Sequence, residues 1–188
     1  MNDCTRTAAP APAETATGAQ GAQRDMQPRP RFPLPRLIVD TREQTPLTFT
    51  HLDAVRGTLA TGDYSVDGLQ SRFAVERKSV PDLVGSLTQE RARFMRELER
   101  MRGMDFARLL IVGRPIDLAV CLNRRAVTAA SILGSLEAIN ARMVAVVWEA
   151  TPAKAAQAVE RWACYFYAGA AKPWGSVAIP AWCRDGVI

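Results

Sequence analysis

The chain has 188 residues, a formal net charge of +5 at pH 7 and a sequence pI near 9.4. This length suits one domain with a sizeable core, and the mild excess of positive charge favours a polyanionic partner. The sequence has no apolar run long enough to cross a membrane and no basic-then-apolar signal peptide. We therefore expect a cytoplasmic, intracellular protein without a membrane partner.

The cysteines are too widely spaced for a metal-binding Cys-x-x-Cys pair, and no cluster of histidines accompanies them. We expect the reduced thiols of an intracellular protein, and neither a zinc site nor a disulfide framework. The four positions are Cys4, Cys121, Cys164 and Cys183.

Residues 1–35 are rich in Ala, Pro, Thr, Gln and Gly and have almost no large apolar side chains before Phe32. Such a segment cannot bury enough apolar surface to offset its chain entropy, so it is predicted to be disordered. A folded domain is expected over residues 36–170. Residues 171–188 are expected to form a tail that packs on this domain.

The folded part begins with the apolar run Leu37–Val39, a predicted strand that ends at Asp40. Residues 55–59 fit either a strand or a short helix. The next signal is Asp67-Gly68, a strong hairpin turn between two runs of β-favouring residues. Residues 63–79 are therefore predicted to pair as two antiparallel strands.

After the hairpin, apolar residues recur at helical spacing, and the continuous apolar runs between these segments are typical of buried strands. This order of elements predicts an α/β fold in which helices pack on a mixed sheet. The expected elements are a helix from Asp82 to Gly103 that is interrupted or bent near Thr88-Gln89, a strand at 107–112, helices at 117–122 and 128–141, a strand at 143–148 and a helix at 153–168.

Two carboxylates and a lysine fall on the predicted hairpin. Asp63 and Glu76 are expected on paired strands, and because side chains alternate along a strand, Glu76 and Lys78 share one face. Metal-dependent cleavage of phosphodiester bonds needs this combination, since carboxylates bind Mg²⁺ and a cation steadies the charge of the phosphate. A neutralising ion pair on a solvated strand is the structural alternative.

Six short motifs stand along the folded part: Asp40-Thr41-Arg42-Glu43, Gly62-Asp63-Tyr64, Glu76-Arg77-Lys78, Asp82-Leu83, Arg93-Phe94 and Ile132–Ile139. Together they resemble the nuclease domain of the xeroderma pigmentosum group F (XPF) family of structure-specific endonucleases. The resemblance spans about residues 36–168. It implies a restriction-endonuclease-like fold, a divalent metal ion, and cleavage of DNA at branched, flap or fork structures in repair or recombination.

We accordingly expect a metal-dependent active site on the hairpin. Asp63 and Glu76 are assigned as ligands of Mg²⁺ or Mn²⁺, and Asp40 as a further ligand. Lys78 would orient or deprotonate the attacking water and steady the charge of the transition state. Arg77 completes the set of catalytic residues, with a supporting role.

Other matched positions are expected to support this site. Arg42, Glu43 and Asp82 are assigned supporting roles, and Glu43 would be either a metal ligand or the partner of Arg42. Arg77 would either pair with Asp82 or contact DNA. Arg42, Arg77 and Arg93 are the candidate DNA-binding residues. The remaining arginines of the helix that carries Arg93 are expected to form a solvated face with local ion pairs.

Many members of this family carry a tandem helix-hairpin-helix module after the nuclease domain, whereas this sequence ends about twenty residues after its last predicted helix. The sequence therefore leaves open whether a partner protein supplies binding to DNA. It also leaves open a homodimer through the nuclease domain, with the helices at 128–141 and 153–168 as the candidate surface. The alternative functions are a catalytically inactive DNA-binding or scaffold module and a nuclease of linear duplex DNA.

Overall fold

A computed structural model describes residues 34–122, 127–171 and 180–184. The segment that is predicted to be disordered lies outside the described residues except for its last two positions. Most of the predicted tail also lies outside them. The described part forms one mixed sheet of six strands flanked by helices, which confirms the predicted fold class.

The strands of the sheet are β1 (Leu37–Asp40), β2 (Ala54–Gly57), β3 (Tyr64–Val66), β4 (Phe73–Ser79), β5 (Phe106–Val112) and β6 (Ala145–Glu149). Their order across the sheet is β2-β1-β3-β4-β5-β6. The pairs β1-β3 and β3-β4 are antiparallel, whereas β1-β2, β4-β5 and β5-β6 are parallel. The antiparallel half of the sheet therefore carries the predicted hairpin.

The hairpin joins β3 to β4 through the predicted turn. Gly68 in this turn has a φ of 79°, a left-handed conformation that glycine adopts without steric cost. The segment for which strand and helix were both open is β2, a strand at the edge of the sheet with largely exposed side chains. An edge strand lacks the alternating buried pattern, which explains why its sequence was ambiguous.

The helices are α1 (Val80–Thr88), α2 (Arg91–Arg102), α3 (Leu118–Cys121), α4 (Ala129–Arg142), α5 (Pro152–Ala171) and α6 (Ala181–Arg184), and a single 3₁₀ turn spans Pro115–Asp117. One layer, with α1, α2 and α4, buries Leu83, Phe94 and Ile132 against the sheet. The other layer, with α5, buries Val159 against Tyr64 and the opposite face. The predicted helix of 82–103 is thus two helices, divided at Gln89 and Glu90.

Strand β4 positions the predicted catalytic side chains between these two layers. Ala74 packs with the α1 layer and Val75 with the α5 layer, so the strand alternates as expected. Glu76 is paired in register with Leu109 of β5, and Lys78 with Ile111, both of them fully buried. Glu76 and Lys78 therefore lie next to strand residues that are shielded from water.

Helix α5 also holds the long segment between β1 and β2. The carboxylate of Glu160 is fully buried, and one of its oxygens accepts the backbone N–H groups of Thr50, His51 and Leu52 at 2.8, 2.6 and 3.0 Å. The His51 ring in turn stacks on Trp182 of α6, with ring centroids 4.3 Å apart. These contacts fix the segment on the sheet although it has no regular structure of its own.

Three of the cysteines lie within the described residues, as free thiols. Cys164 and Cys183 are buried between α5 and α6, and burial raises the pKa of Cys164 to about 12. Cys121 is half-buried, and Cys4 lies outside the described residues. No helix in the described ranges has the length and apolar character that a membrane span needs.

Candidate active site

A polar cleft of about 620 Å³ opens at the end of β4. One wall is the segment after β1, from Arg42 to Thr45, and the other is formed by α1 and the start of α2. Seven of the residues that the sequence assigned to function line the cleft: Arg42, Glu43, Asp63, Arg77, Lys78, Asp82 and Arg93. The fold therefore brings these positions together across about fifty residues of sequence.

Asp63 is placed by the glycine that precedes it. Gly62 has a φ of 76°, and a Cβ there would stand 3.2 Å from the carbonyl oxygen of Val75. The Asp63 N–H donates to that same oxygen, and one Asp63 carboxylate oxygen accepts the N–H of Arg77 at 2.8 Å. Burial is the largest influence on this carboxyl group and raises the pKa of Asp63 to about 6.

Glu76 lies beside Asp63 and is only 2% exposed. One of its carboxylate oxygens accepts the ammonium of Lys78, while the other has no hydrogen-bond partner among the described residues. Burial and the nearby charge of Asp63 raise the pKa of Glu76 to about 8. Two buried acids whose negative charges repel each other in this way form a site that favours a cation.

Lys78 is held on two sides. Its ammonium pairs with Glu76 and lies 5.5 Å from the centre of the Phe94 ring, a cation–π distance. Burial alone would lower the pKa of Lys78, but the carboxylate of Glu76 outweighs burial and raises it. The lysine is therefore kept in its charged form.

The donor set fits a hard divalent cation. The unpartnered oxygen of Glu76 is buried, and the second oxygen of Asp63 receives no hydrogen bond from the described residues. Mg²⁺ prefers such oxygens and keeps several waters, so two carboxylates suffice to hold it. In the part of the chain that the structure describes, no group of three or more His, Cys, Asp or Glu side chains is placed to hold a metal ion.

Both carboxylate oxygens of Asp40, the predicted further ligand, accept hydrogen bonds from the protein. One carboxylate oxygen accepts both the N–H and the Nε of Arg42, at 2.8 and 2.7 Å, and the other accepts the N–H of Leu59 at 2.7 Å. Burial would raise the pKa of Asp40, but these hydrogen bonds outweigh it and lower the pKa. The structure does not bring Asp40 into a three-acid cluster with Asp63 and Glu76, and its contacts favour positioning Arg42 instead.

Arg77 and Glu43 pair with each other, in place of the predicted pairs of Arg77 with Asp82 and of Glu43 with Arg42. Contact of Arg77 with DNA and binding of a metal ion by Glu43 stay predictions. Arg77 forms a two-pronged ion pair with Glu43, through Nε and Nη2 at 3.1 Å each, and does not pair with Asp82. Glu43 correspondingly pairs with Arg77 and not with Arg42. The reason is the alternation of β4, which directs Arg77 away from Glu76 and towards the segment after β1.

Asp82 serves the start of α1. Its carboxylate accepts the Ser79 hydroxyl at 2.6 Å, and the Ser79 oxygen accepts the Asp82 N–H at 3.3 Å. Ser79 is the N-cap of the helix, and an acid three residues later is the usual partner of such a cap. The contacts therefore give Asp82 a role in fixing the helix that borders the cleft.

Helix α2 contributes a second charged residue to the site besides the predicted Arg93. Arg93 is exposed at the mouth of the cleft and pairs with Glu90 at 3.2 Å. Glu97, which the sequence did not single out, lies on the same helix, and its negative charge raises the pKa values of Asp63, Glu76 and Lys78. The Arg93-Phe94 motif is the signal that could have found Glu97, because Phe94 contacts Lys78 and Glu97 lies about one helical turn further on.

The comparisons with known proteins agree with this fold. The family model described as "ERCC4 domain" matches residues 39–160. The solved structure of XPF from Aeropyrum pernix superposes with a TM-score of 0.61 at 19% identity, covering 78% of this chain and 68% of that one. XPF from the same organism in complex with DNA gives a TM-score of 0.56 at 19% identity, covering 72% and 66%. No curated protein matches the sequence.

Proposed function

Because the chain belongs to the ERCC4 domain family, a family of DNA-binding nucleases, we propose that it is a divalent-metal-dependent endodeoxyribonuclease. The resemblance to XPF nuclease domains and the restriction-endonuclease-like fold are thereby confirmed. One observation carries the proposal beyond the family. Asp63 and the charged Lys78 line the cleft, and Glu76 beside them has a buried oxygen with no hydrogen-bond partner among the described residues.

Asp63 and Glu76 would hold Mg²⁺ or Mn²⁺. Such an ion, when bound, supplies an acidified water and neutralises the charge of the phosphate. Its charge would also stabilise the ionised forms of both acids, which burial and mutual repulsion now disfavour. Binding of the metal ion would thus offset the free-energy cost of holding two buried acids close together.

Lys78 would orient the attacking water and steady the transition-state charge while remaining protonated. Its raised pKa supports this assignment over the alternative of a general base, because a base must give up its proton near neutral pH. Glu76 and the Phe94 ring fix the ammonium from two sides. Preorganised charge of this kind acts on the transition state without reorganisation.

The arginines divide into two roles. The side chain of Arg42 is 67% exposed and held in place by Asp40, so it would present its guanidinium to a DNA phosphate. The side chain of Arg77 is largely buried and bonds to Glu43 and Thr45, and the backbone N–H of Arg77 donates a hydrogen bond to Asp63. We therefore assign Arg77 to the framework of the site and Arg42, with Arg93, to DNA binding.

The expected substrate is DNA with a branch, flap or fork, and the expected setting is repair or recombination within the cell. The DNA complex of the Aeropyrum pernix XPF supports DNA as the partner. A homodimer through α4 and α5 is proposed as well. Leu133, exposed by 38% on α4, belongs to that surface. A mass measurement that finds only monomer at all concentrations would reject the dimer.

The test is cleavage of labelled flap, fork and linear duplex DNA with Mg²⁺ or Mn²⁺. Asp63→Asn and Glu76→Gln keep the shape of each side chain, and Asp53→Asn, at an exposed acid just before β2, is the matched control. We expect metal-dependent cutting by the wild type and the control and none by the two site variants. Binding without cutting by the wild type would favour the scaffold alternative, and equal cutting of linear duplex would reject junction preference.

A further inference from the structure

We propose that three arginines of α2, Arg93, Arg96 and Arg100, form a track that binds the phosphates of a DNA arm as it leaves the cleft. This track rests on the proposed function only in taking DNA as the ligand. The sequence alone assigned Arg93 to DNA binding and favoured a solvated face for Arg96 and Arg100. The arrangement of charges around the helix argues for a binding surface instead.

The three arginines lie on one outward stripe of α2. Phe94, Leu98 and Met101 are buried and mark the inward side of the helix. At 3.6 residues per turn, positions 93, 96 and 100 fall within about 60° of each other, well away from that side. All three side chains are exposed.

The stripe is continuous with the cleft. Arg93 lines the cleft mouth, and Arg100 lies seven residues further along the same helix, which is about 10 Å at a rise of 1.5 Å per residue. Successive phosphates of one DNA strand rise by about 3.4 Å along the duplex axis. The track is therefore long enough for about three phosphates beyond the one in the cleft.

The other two arginines of the helix are engaged on a different flank. Arg91 donates to the hydroxyl of Ser135 on α4 at 3.2 Å, and Arg102 pairs with Glu99 at 3.4 Å. Arg96 and Arg100, in contrast, have no carboxylate within 4.0 Å among the described residues.

A phosphate is the partner that such a stripe lacks. Two guanidinium groups on successive turns of a helix repel each other unless an anion lies near them, and guanidinium binds phosphate with two parallel hydrogen bonds. Arg93 can exchange Glu90 for a phosphate at little cost, because that ion pair is exposed to water on both sides.

The experiment measures binding, so it does not depend on catalysis. A fluorescent flap DNA is titrated in EDTA, by anisotropy, at salt concentrations from about 50 to 200 mM. The double variant Arg96→Gln/Arg100→Gln is compared with Arg91→Gln/Arg102→Gln, which removes the same charge from the same helix. Thermal unfolding of each variant verifies that its fold is intact.

We expect the slope of log Kd against log salt to fall by about 1.8 for the track variant, since each lost phosphate contact is worth about 0.9. The control variant should keep the slope of the wild type. DNA whose arm is shortened by about three nucleotides at the cleft should no longer distinguish the track variant from the wild type.

Equal losses in both double variants would show a diffuse charge effect and overturn the track, as would an unchanged slope in the track variant. A wild type that fails to bind DNA would overturn it too. A wild type that binds with the expected slopes but never cuts would reject the proposed activity and leave the track standing.

Discussion

Replacing Glu76 by Gln should stabilise the metal-free protein while it removes cleavage. Buried at 2% exposure, Glu76 has a pKa of about 8 against an ordinary 4.5. A folded-state pKa above the unfolded one means that the native protein loses stability as pH rises from about 4.5 to about 8. Gln is neutral at every pH and escapes this loss.

The size of the effect follows from that difference in pKa. At about 1.4 kcal/mol per pH unit, the full difference corresponds to about 5 kcal/mol above pH 8. This is an upper value, because Asp63 shares the repulsion and releases part of it when either acid takes a proton. We expect a gain on the order of 2 kcal/mol at pH 8.5 and less than half of that at pH 5.5.

Urea unfolding in EDTA at several pH values measures this gain directly. Asp53→Asn, at an exposed acid just before β2, is the control and should show no growth of stability with pH. Mg²⁺ should stabilise the wild type and not the Glu76→Gln variant, since only the wild type keeps both ligands. The reasoning would be refuted if Glu76→Gln did not raise the free energy of unfolding, or if its effect shrank as pH rises.

Three further variants test the neighbours of this acid. Glu43→Gln should cost about 2–4 kcal/mol of unfolding free energy at neutral pH, because it leaves a largely buried guanidinium without its counter-charge. The pKa of Glu43 is lowered, so the difference from wild type should shrink as pH falls below the ordinary value of 4.5. Phe94→Met should reduce kcat about tenfold with little change in KM, because it removes the ring that holds Lys78. Asp82→Asn should lower stability by about 1 kcal/mol and leave metal-dependent cutting in place.

Each of these variants has a control that separates its cause. Glu99→Gln breaks an exposed ion pair and should cost less than about 1 kcal/mol, so an equal cost for Glu43→Gln would contradict burial as the reason. Phe94→Tyr keeps the aromatic ring and should restore kcat, provided that thermal unfolding shows it folded. Loss of metal dependence in Asp82→Asn would give that residue a part in the chemistry that its contacts do not support.

The hairpin and its acids were predictable because the information is local. The Asp67-Gly68 turn fixed the pairing of the two strands, and alternation along β4 placed Glu76 and Lys78 on one face. Spacing within a strand is a property of the backbone, so these relations needed no knowledge of the rest of the chain. The fold class followed from the same periodicities.

The partners of Arg77 and Asp40 could not be predicted in this way. Both pairings depend on the path of the irregular segment after β1, which places Glu43 beside Arg77 and the Leu59 N–H beside Asp40. A loop takes its path from distant contacts, and sequence spacing carries no record of them. Glu97 was missed for a related reason, since its role depends on how α2 packs above β4.

The buried carboxylate of Glu160 has a consequence for the order of folding. It accepts the N–H groups of residues 50–52, which lie 108 to 110 positions away in sequence, so the anchoring of this segment depends on a very long loop closure. Contacts of such high sequence separation slow folding and form after local ones. During synthesis, a growing chain can complete its hairpin and acids early, yet residues 50–52 gain their anchor only once α5 has emerged.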